Sequence, residues 1–212
     1  MKRFLPFSCG TPSHDHLGDV FAALDAEKFQ HCLTAWVAAW TSERTVVIAI
    51  DGKTVRRSGK KGSHDAIHVV SAFAARQRLV LGQVKVVRKS NEIIAIPKLL
   101  EMLDIESAIV SVYAMGCQRD ITLNIIDKGV DYLLALKGNQ GTLREDTKVF
   151  ANEQKFHNFN DTSVSQHQTL DGGHGRIETR TTTVFQVTAW LQERHNWSVL
   201  KAVVMVESLR EI

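Results

Sequence analysis

Proline is scarce in this chain, with three in 212 residues. That excludes a proline-rich linker or an extended stalk. Cysteine is equally scarce. Cys9, Cys32 and Cys117 are odd in number and far apart, so they suit neither a disulfide framework nor a zinc spacing and read as reduced thiols. No apolar run approaches the roughly 18 residues of a membrane-spanning helix. Met1-Lys2-Arg3-Phe4-Leu5-Pro6 starts basic, but Pro6 and Ser8 cut its apolar stretch, which does not fit a secretory leader. What is present is ordinary globular material. Hydrophobic residues make up 44% and charged residues 23%, enough for one sizeable core with a small appendage.

The net charge of +3 hides an asymmetry. Residues 51–90 carry 10 basic and 2 acidic side chains, while residues 91–212 carry 12 basic and 16 acidic ones. The densest positive stretch is Lys53, Arg56, Arg57, Lys60 and Lys61, with no acid between them. A local basic field of this kind points to a polyanion partner, although a solvated basic loop has the same composition.

Periodicity gives the element order. Residues 13–40 pattern as two short helices, capped by Ser13 or Asp15 and by Asp25. Leu17, Val20, Phe21 and Leu24 line the first; Phe29, Leu33, Trp36, Val37 and Trp40 line the second, and the tryptophans are expected in a core. Residues 45–50 form a β-branched strand ending at Asp51-Gly52, and 67–73 and 79–87 form two more, with a turn at 76–78. A helix follows from Ser90-Asn91-Glu92, restricted or kinked by Pro97. Residues 108–113 are a buried strand, 118–128 a helix closed by Gly129, and 131–136 a fifth strand. The order β-β-β-α-β-α-β is that of a ribonuclease H-like mixed α/β sheet, and other mixed sheets share it. Further on, 142–153 reads as a helix, 154–175 as irregular, and 176–187 and 199–206 as strands of a β-rich insertion.

Asp51 at a strand end could hold a hard divalent cation through oxygen, yet one aspartate is not a site. An Asp-Gly pair after a strand is more often a plain turn. The stretch around it, Ala49-Ile50-Asp51-Gly52-Lys53-Thr54-Val55-Arg56-Arg57-Ser58, resembles the first catalytic motif of the H-repeat-associated transposases, a branch of the DDE insertion-sequence transposases. Other stretches match in the same order, among them His68-Val69-Val70-Ser71-Ala72, Lys89-Ser90-Asn91-Glu92-Ile93, Ala114-Met115-Gly116-Cys117-Gln118, Lys137-Gly138-Asn139-Gln140-Gly141 and His174-Gly175-Arg176-Ile177-Glu178. The resemblance covers almost the whole chain.

It implies a helical N-terminal segment (1–44) and a ribonuclease H-like catalytic core (45–212) with a β-rich insertion at 141–206. It also implies magnesium-dependent cleavage and transfer of DNA strands at transposon ends, with three acids carrying two metal ions. The first acid maps onto Asp51. The second maps onto Tyr113, and a phenol, with a pKa of about 10, is a neutral and weak ligand. The third is expected on a helix beyond Ile212, with Glu178 as an internal alternative and Glu207 a weaker one. The chain therefore reads as a truncated, inactive copy, cytoplasmic and nucleoid-associated, and self-association through an uncovered core face is expected. Lys53, Arg56, Arg57, Lys60 and Lys61, Lys137, Asn139 and Gln140, and His174, Arg176 and Arg180 are the expected DNA contacts. A non-enzymatic DNA-binding or interaction protein on the same fold is the alternative, and a still-active nuclease a further one.

Overall fold

The computed structural model describes residues 10–40, 47–56, 58–59, 66–86, 92–103, 105–160, 162–173, 175–186 and 189–211, with only the backbone at 37, 38 and 40. Cys9, Arg57, Lys60, Lys61 and His174 lie outside the described residues. The chain divides into two compact units, residues 1–44 and 45–212.

The first unit holds two helices, α1 (His14–Ala23) and α2 (Ala26–Trp40). Both N-termini are capped as their sequences require. The Ser13 side chain accepts from the His16 amide at 3.2 Å, and Asp25 Oδ1 accepts from Glu27 and Lys28 at 3.1 Å. The side chains of Val37 and Trp40, two members of the expected core, lie outside the described residues, and among those described no core is seen. Trp36 is 54% exposed, and none of the ten residues of α1 is buried. Two short amphipathic helices offer too little surface to enclose a tryptophan.

The second unit contains β1 (Val47–Thr54), β2 (His68–Ala74), β3 (Leu79–Val86), α3 (Glu92–Glu101), β4 (Ile109–Val112), α4 (Arg119–Asp127) and β5 (Asp131–Leu134). They form a five-stranded sheet of order β3-β2-β1-β4-β5. The first three strands are antiparallel, and β1, β4 and β5 run parallel. The ribonuclease H-like layout is borne out. Ile48 and Ile50 of β1, Val70 and Ala72 of β2, and Val110 and Val112 of β4 alternate onto one face. They pack there in one buried cluster with Ile96, Leu99 and Leu100 of α3 and Ile121 and Ile125 of α4. Each such side chain contributes about 1.5–3 kcal/mol by leaving water. Pro97 stands inside α3, where it removes one ladder bond. Buried side chains on both sides of it hold the helix on the sheet. Gly129, at φ +69°, ends α4 in the left-handed conformation its sequence suggests.

The opposite face of the sheet carries Ala49, Phe73 and Leu133 by the same alternation, and Leu133 is half exposed. Phe73 is 37% exposed on that face.

Beyond β5 come α5 (Gly141–Phe156), β6 (Val164–Gly173), β7 (Arg176–Phe185), α6 (Ala189–His195) and β8 (Val203–Glu211). The three strands form a separate antiparallel sheet of order β6-β7-β8. The segment expected to be irregular at 154–175 thus contains a ten-residue strand, and α6 was not foreseen. Phe150 of α5 lies 5.6 Å from Phe185 and 5.7 Å from Trp190, ring centre to ring centre. This aromatic contact joins α5 to the second sheet. A second apolar cluster of Cys117, Leu143, Leu191 and Trp197, with Tyr132 and Leu134 against it, ties the insertion to β5. Among the described residues no helix is long and apolar enough to cross a membrane.

Candidate functional site

The parallel pairing of β1 with β4 ends at Ile50 and Val112. One residue further along each strand stand Asp51 and Tyr113, side by side at the carboxyl ends of two parallel strands. Ligands of open α/β sheets bind at such ends. β1 itself does not stop at Asp51 as expected. It continues to Thr54 through its antiparallel partner, with Asp51 opposite Ser71. From Asp51 onward, β1 keeps β2 as a neighbour and loses β4.

Strand alternation puts Lys53 on the face of Asp51, and the Lys53 ammonium lies 2.6 Å from Asp51 Oδ2. The hydrogen bond to Asp51 and the charge of that carboxylate push the Lys53 pKa up, with a smaller contribution from Tyr113. Tyr113 is 63% exposed, and the Lys137 ammonium sits 5.6 Å from its ring centre, within cation–π range. One carboxylate, one phenol and two ammonium groups therefore share this strand end.

The turn after Tyr113 is tightly held. Residues 114–116 form one turn of 3-10 helix, with the Gly116 amide donating to the Tyr113 carbonyl at 2.8 Å. A Cβ on Gly116 would lie 2.2 Å from Val112 Cγ1, so this turn requires glycine. Asn139 Nδ2 donates to the Ala114 carbonyl at 2.7 Å, and Gln140 Nε2 donates to the Cys117 carbonyl at 3.0 Å. The amides expected to meet DNA thus latch the turn behind Tyr113. Below it, burial pushes the Cys117 thiol up to about 11.

The β1–β2 connection carries the basic cluster. Ser58 closes its base, donating to the Val55 carbonyl at 2.7 Å and accepting from the Ile67 amide at 2.8 Å. Arg56 is exposed within it. The expected groups on the insertion lie elsewhere. Glu178 is on β7, where its carboxylate meets Arg180 at 2.9 Å and Arg210 at 3.6 Å. The Arg180 hydrogen bond holds its pKa below the usual carboxylate range. Arg176 begins the same strand and is exposed. The structure therefore brings together Asp51, Lys53, Tyr113 and Lys137, and places Glu178, Arg176 and Arg180 on the other sheet. Glu207 is on β8, bound to Lys155 at 2.7 Å.

One residue near the strand end carried no role in the sequence reading. Glu92 opens α3 and is only 8% exposed, with its carboxylate against Gly52. Among the described residues, no group of three or more His, Cys, Asp or Glu side chains is placed to hold a metal. A three-acid, two-ion arrangement does not fit the residues described.

Residues 42–194 match the family model described as the transposase DDE domain. The chain is 39% identical over its whole length to the "Uncharacterized protein in dhlA 3'region" of Xanthobacter autotrophicus, of which it covers 71%. It is 40% identical, again over its whole length, to the "H repeat-associated putative transposase YhhI" of Escherichia coli K12, and it spans 56% of that protein. Over 85% of its length it is 42% identical to the "H repeat-associated putative transposase YbfD" of the same strain, covering 71% of it.

Proposed function

The chain belongs to the H-repeat-associated family of DDE-domain transposases, and from that premise we propose that it binds transposon-end DNA without cutting it efficiently. The reading rests on one observation, Tyr113 beside Asp51 at the carboxyl ends of β1 and β4. Strand cleavage by two hard cations needs anionic oxygens from neighbouring strands to hold both ions. A phenol in the second position supplies a neutral oxygen and a bulky ring. Glu178, the internal alternative for the third acid, is already held by two arginines, which weighs against it. Among the described residues, the acids at the strand end do not make up the set that a two-ion step needs.

DNA binding does not need that set. Lys53 and Arg56, together with Arg57, Lys60 and Lys61 in sequence, place positive charge directly after Asp51. Phosphates approaching the strand end would meet these groups first. Lys137 would meet them from the β5 side. Arg176 and Arg180 on the other sheet, with His174 next to them in sequence, would add a separate contact. The donor amides of Asn139 and Gln140 act on the turn instead, so their contribution is to hold that wall of the site.

The test is a nicking assay on DNA carrying the element's ends, with magnesium or manganese, on the 212-residue chain and on Tyr113→Asp. The expected result is no ion-dependent nicking by the unmodified chain. Tyr113→Asp should raise divalent-ion affinity, read by isothermal titration. Clear nicking by the unmodified chain that disappears in Asp51→Ala would overturn the reading.

A further inference from the structure

We propose that the chain takes an unpaired nucleobase from a DNA end, seated in the cavity beside β5 with the Tyr113 ring as its stacking wall. The inference deepens the proposed function and rests on DNA binding at this strand end. The cavity measures about 430 Å³ and lies where the ends of β4 and β5 meet α5 and β8. Tyr113, Cys117, Leu134, Leu143, Thr147 and Trp197 are among its walls. Its volume and its largely apolar lining with a few polar groups are those of a small-molecule site. A nucleobase has the matching make-up, two apolar faces and a polar edge.

The aromatic wall is exposed and held in place. Tyr113 is 63% exposed. The turn that follows it is tied down by Gly116, Asn139 and Gln140, so its backbone is ordered before DNA arrives. An ordered partner loses little freedom on binding. The Lys137 ammonium stands over one face of the ring at 5.6 Å, which leaves the other face for a base. Sites for single-stranded DNA combine such aromatic platforms with cations that track the phosphates. Here the cations are Lys137, Lys53 from the neighbouring strand, and Arg56 on the connection that leaves it.

The second observation lies deeper. Thr147 lines the cavity, and its Oγ1 is buried with no hydrogen-bond partner. A hydroxyl left in that state is costly. The polar edge of a base entering the cavity would meet it. An apolar peptide could fill the same hollow, but it has no use for the ammonium groups around Tyr113. The charge favours a polyanion that carries flat groups.

Fluorescence anisotropy on the 212-residue chain tests this with two labelled duplexes. One ends in a single-stranded overhang, and the other in the same overhang made abasic, which keeps the phosphates and removes the bases. The base-bearing overhang should bind at least about fivefold more tightly. Tyr113→Ala should abolish that preference, and Tyr113→Phe, which keeps the ring, should retain it. Thr147→Val should reduce it, and Glu106→Gln, on an exposed turn, should leave it unchanged. Equal binding of the two duplexes by the unmodified chain removes this inference and leaves the DNA-binding reading. No binding of either duplex removes both. A preference that survives Thr147→Val intact places the base outside the cavity and overturns the inference. Should Thr147→Val lose its cooperative melt, 2-aminopurine in the overhang decides on the unmodified chain. Quenching of its emission on binding supports the stacked base, and unquenched emission overturns it.

Discussion

Gly52 lies beside Asp51 in sequence, but its importance comes from Glu92, forty positions away. Gly52→Ala drives a methyl group into the Glu92 carboxyl at 2.5 Å. Overpacking of this kind costs about 1–3 kcal/mol. Trimming the intruding partner should relieve it, so Gly52→Ala combined with Glu92→Ala is expected to be less destabilised than the two single changes summed. Urea melts of the four proteins in a double-mutant cycle measure this coupling. The sequence singles out Asp51 and the tyrosine at 113 because both sit in short motifs that resemble those of the family. It does not show the burial of Glu92, which depends on α3 meeting the far side of β1. A second residue-scale consequence concerns alkali. Burial raises the Cys117 thiol to about 11 and the Tyr132 phenol to about 12. Both folded values exceed the unfolded ones, so the native state holds protons that the unfolded chain releases. Stability from these groups is intact below pH 9 and falls as pH rises through 9 to 12. Melting temperature against pH, for the chain and for Cys117→Ala, reads this out, and the variant should lose less stability between pH 9 and 11. Iodoacetamide at pH 8 should modify exposed Cys32 well before buried Cys117.

At the scale of elements, the strands and helices that line the common core were legible, and so were α1 and α2, whose helical period shows without a buried face in α1; β6 and α6 were not. β1, β2, β4, α3 and α4 each put an apolar stripe on the common core, and their periods matched it. β6 is exposed at nine of its ten positions, so no alternation marks it. α6 has seven residues, too few to display a helical period. The latch between the two turns is another element-scale feature hidden from the sequence. Polar residues after β5 read as surface groups, yet Asn139 and Gln140 hold three carbonyl contacts on the turn after Tyr113. Replacing both with alanine leaves the partly buried carbonyl of Cys117 without these donors. A loss of about 1–3 kcal/mol is expected, measured by chemical denaturation. Because the turn positions Tyr113, the same variant should weaken the contact of Lys137 with the ring, seen as a changed Tyr113 side-chain resonance. An unchanged resonance and unchanged stability would mean that the amides lie idle.

For the whole molecule, the net charge of +3 is a poor guide, because charge of one sign is gathered beside one strand end. The acids are concentrated after residue 90, and several of them are already paired there, as Glu178 is with Arg180 and Glu207 with Lys155. The positive groups after Asp51 have only that carboxylate and Asp65 to offset them in residues 51–90. A duplex end should therefore meet the β1–β2 connection through its phosphates, with little discrimination among sequences. If all five of Lys53, Arg56, Arg57, Lys60 and Lys61 engage, the logarithm of the binding constant should fall against the logarithm of salt with a slope of about −4 to −5. Removing Arg56, Arg57 and Lys60 together should make that slope shallower by about 3. Fluorescence anisotropy at several salt concentrations measures both. Asp51→Asn isolates this electrostatic role. It removes one negative charge beside the cluster, so DNA binding should tighten slightly. A salt-independent affinity, or weaker DNA binding in Asp51→Asn, would mean that phosphate attraction at this loop is not what holds DNA.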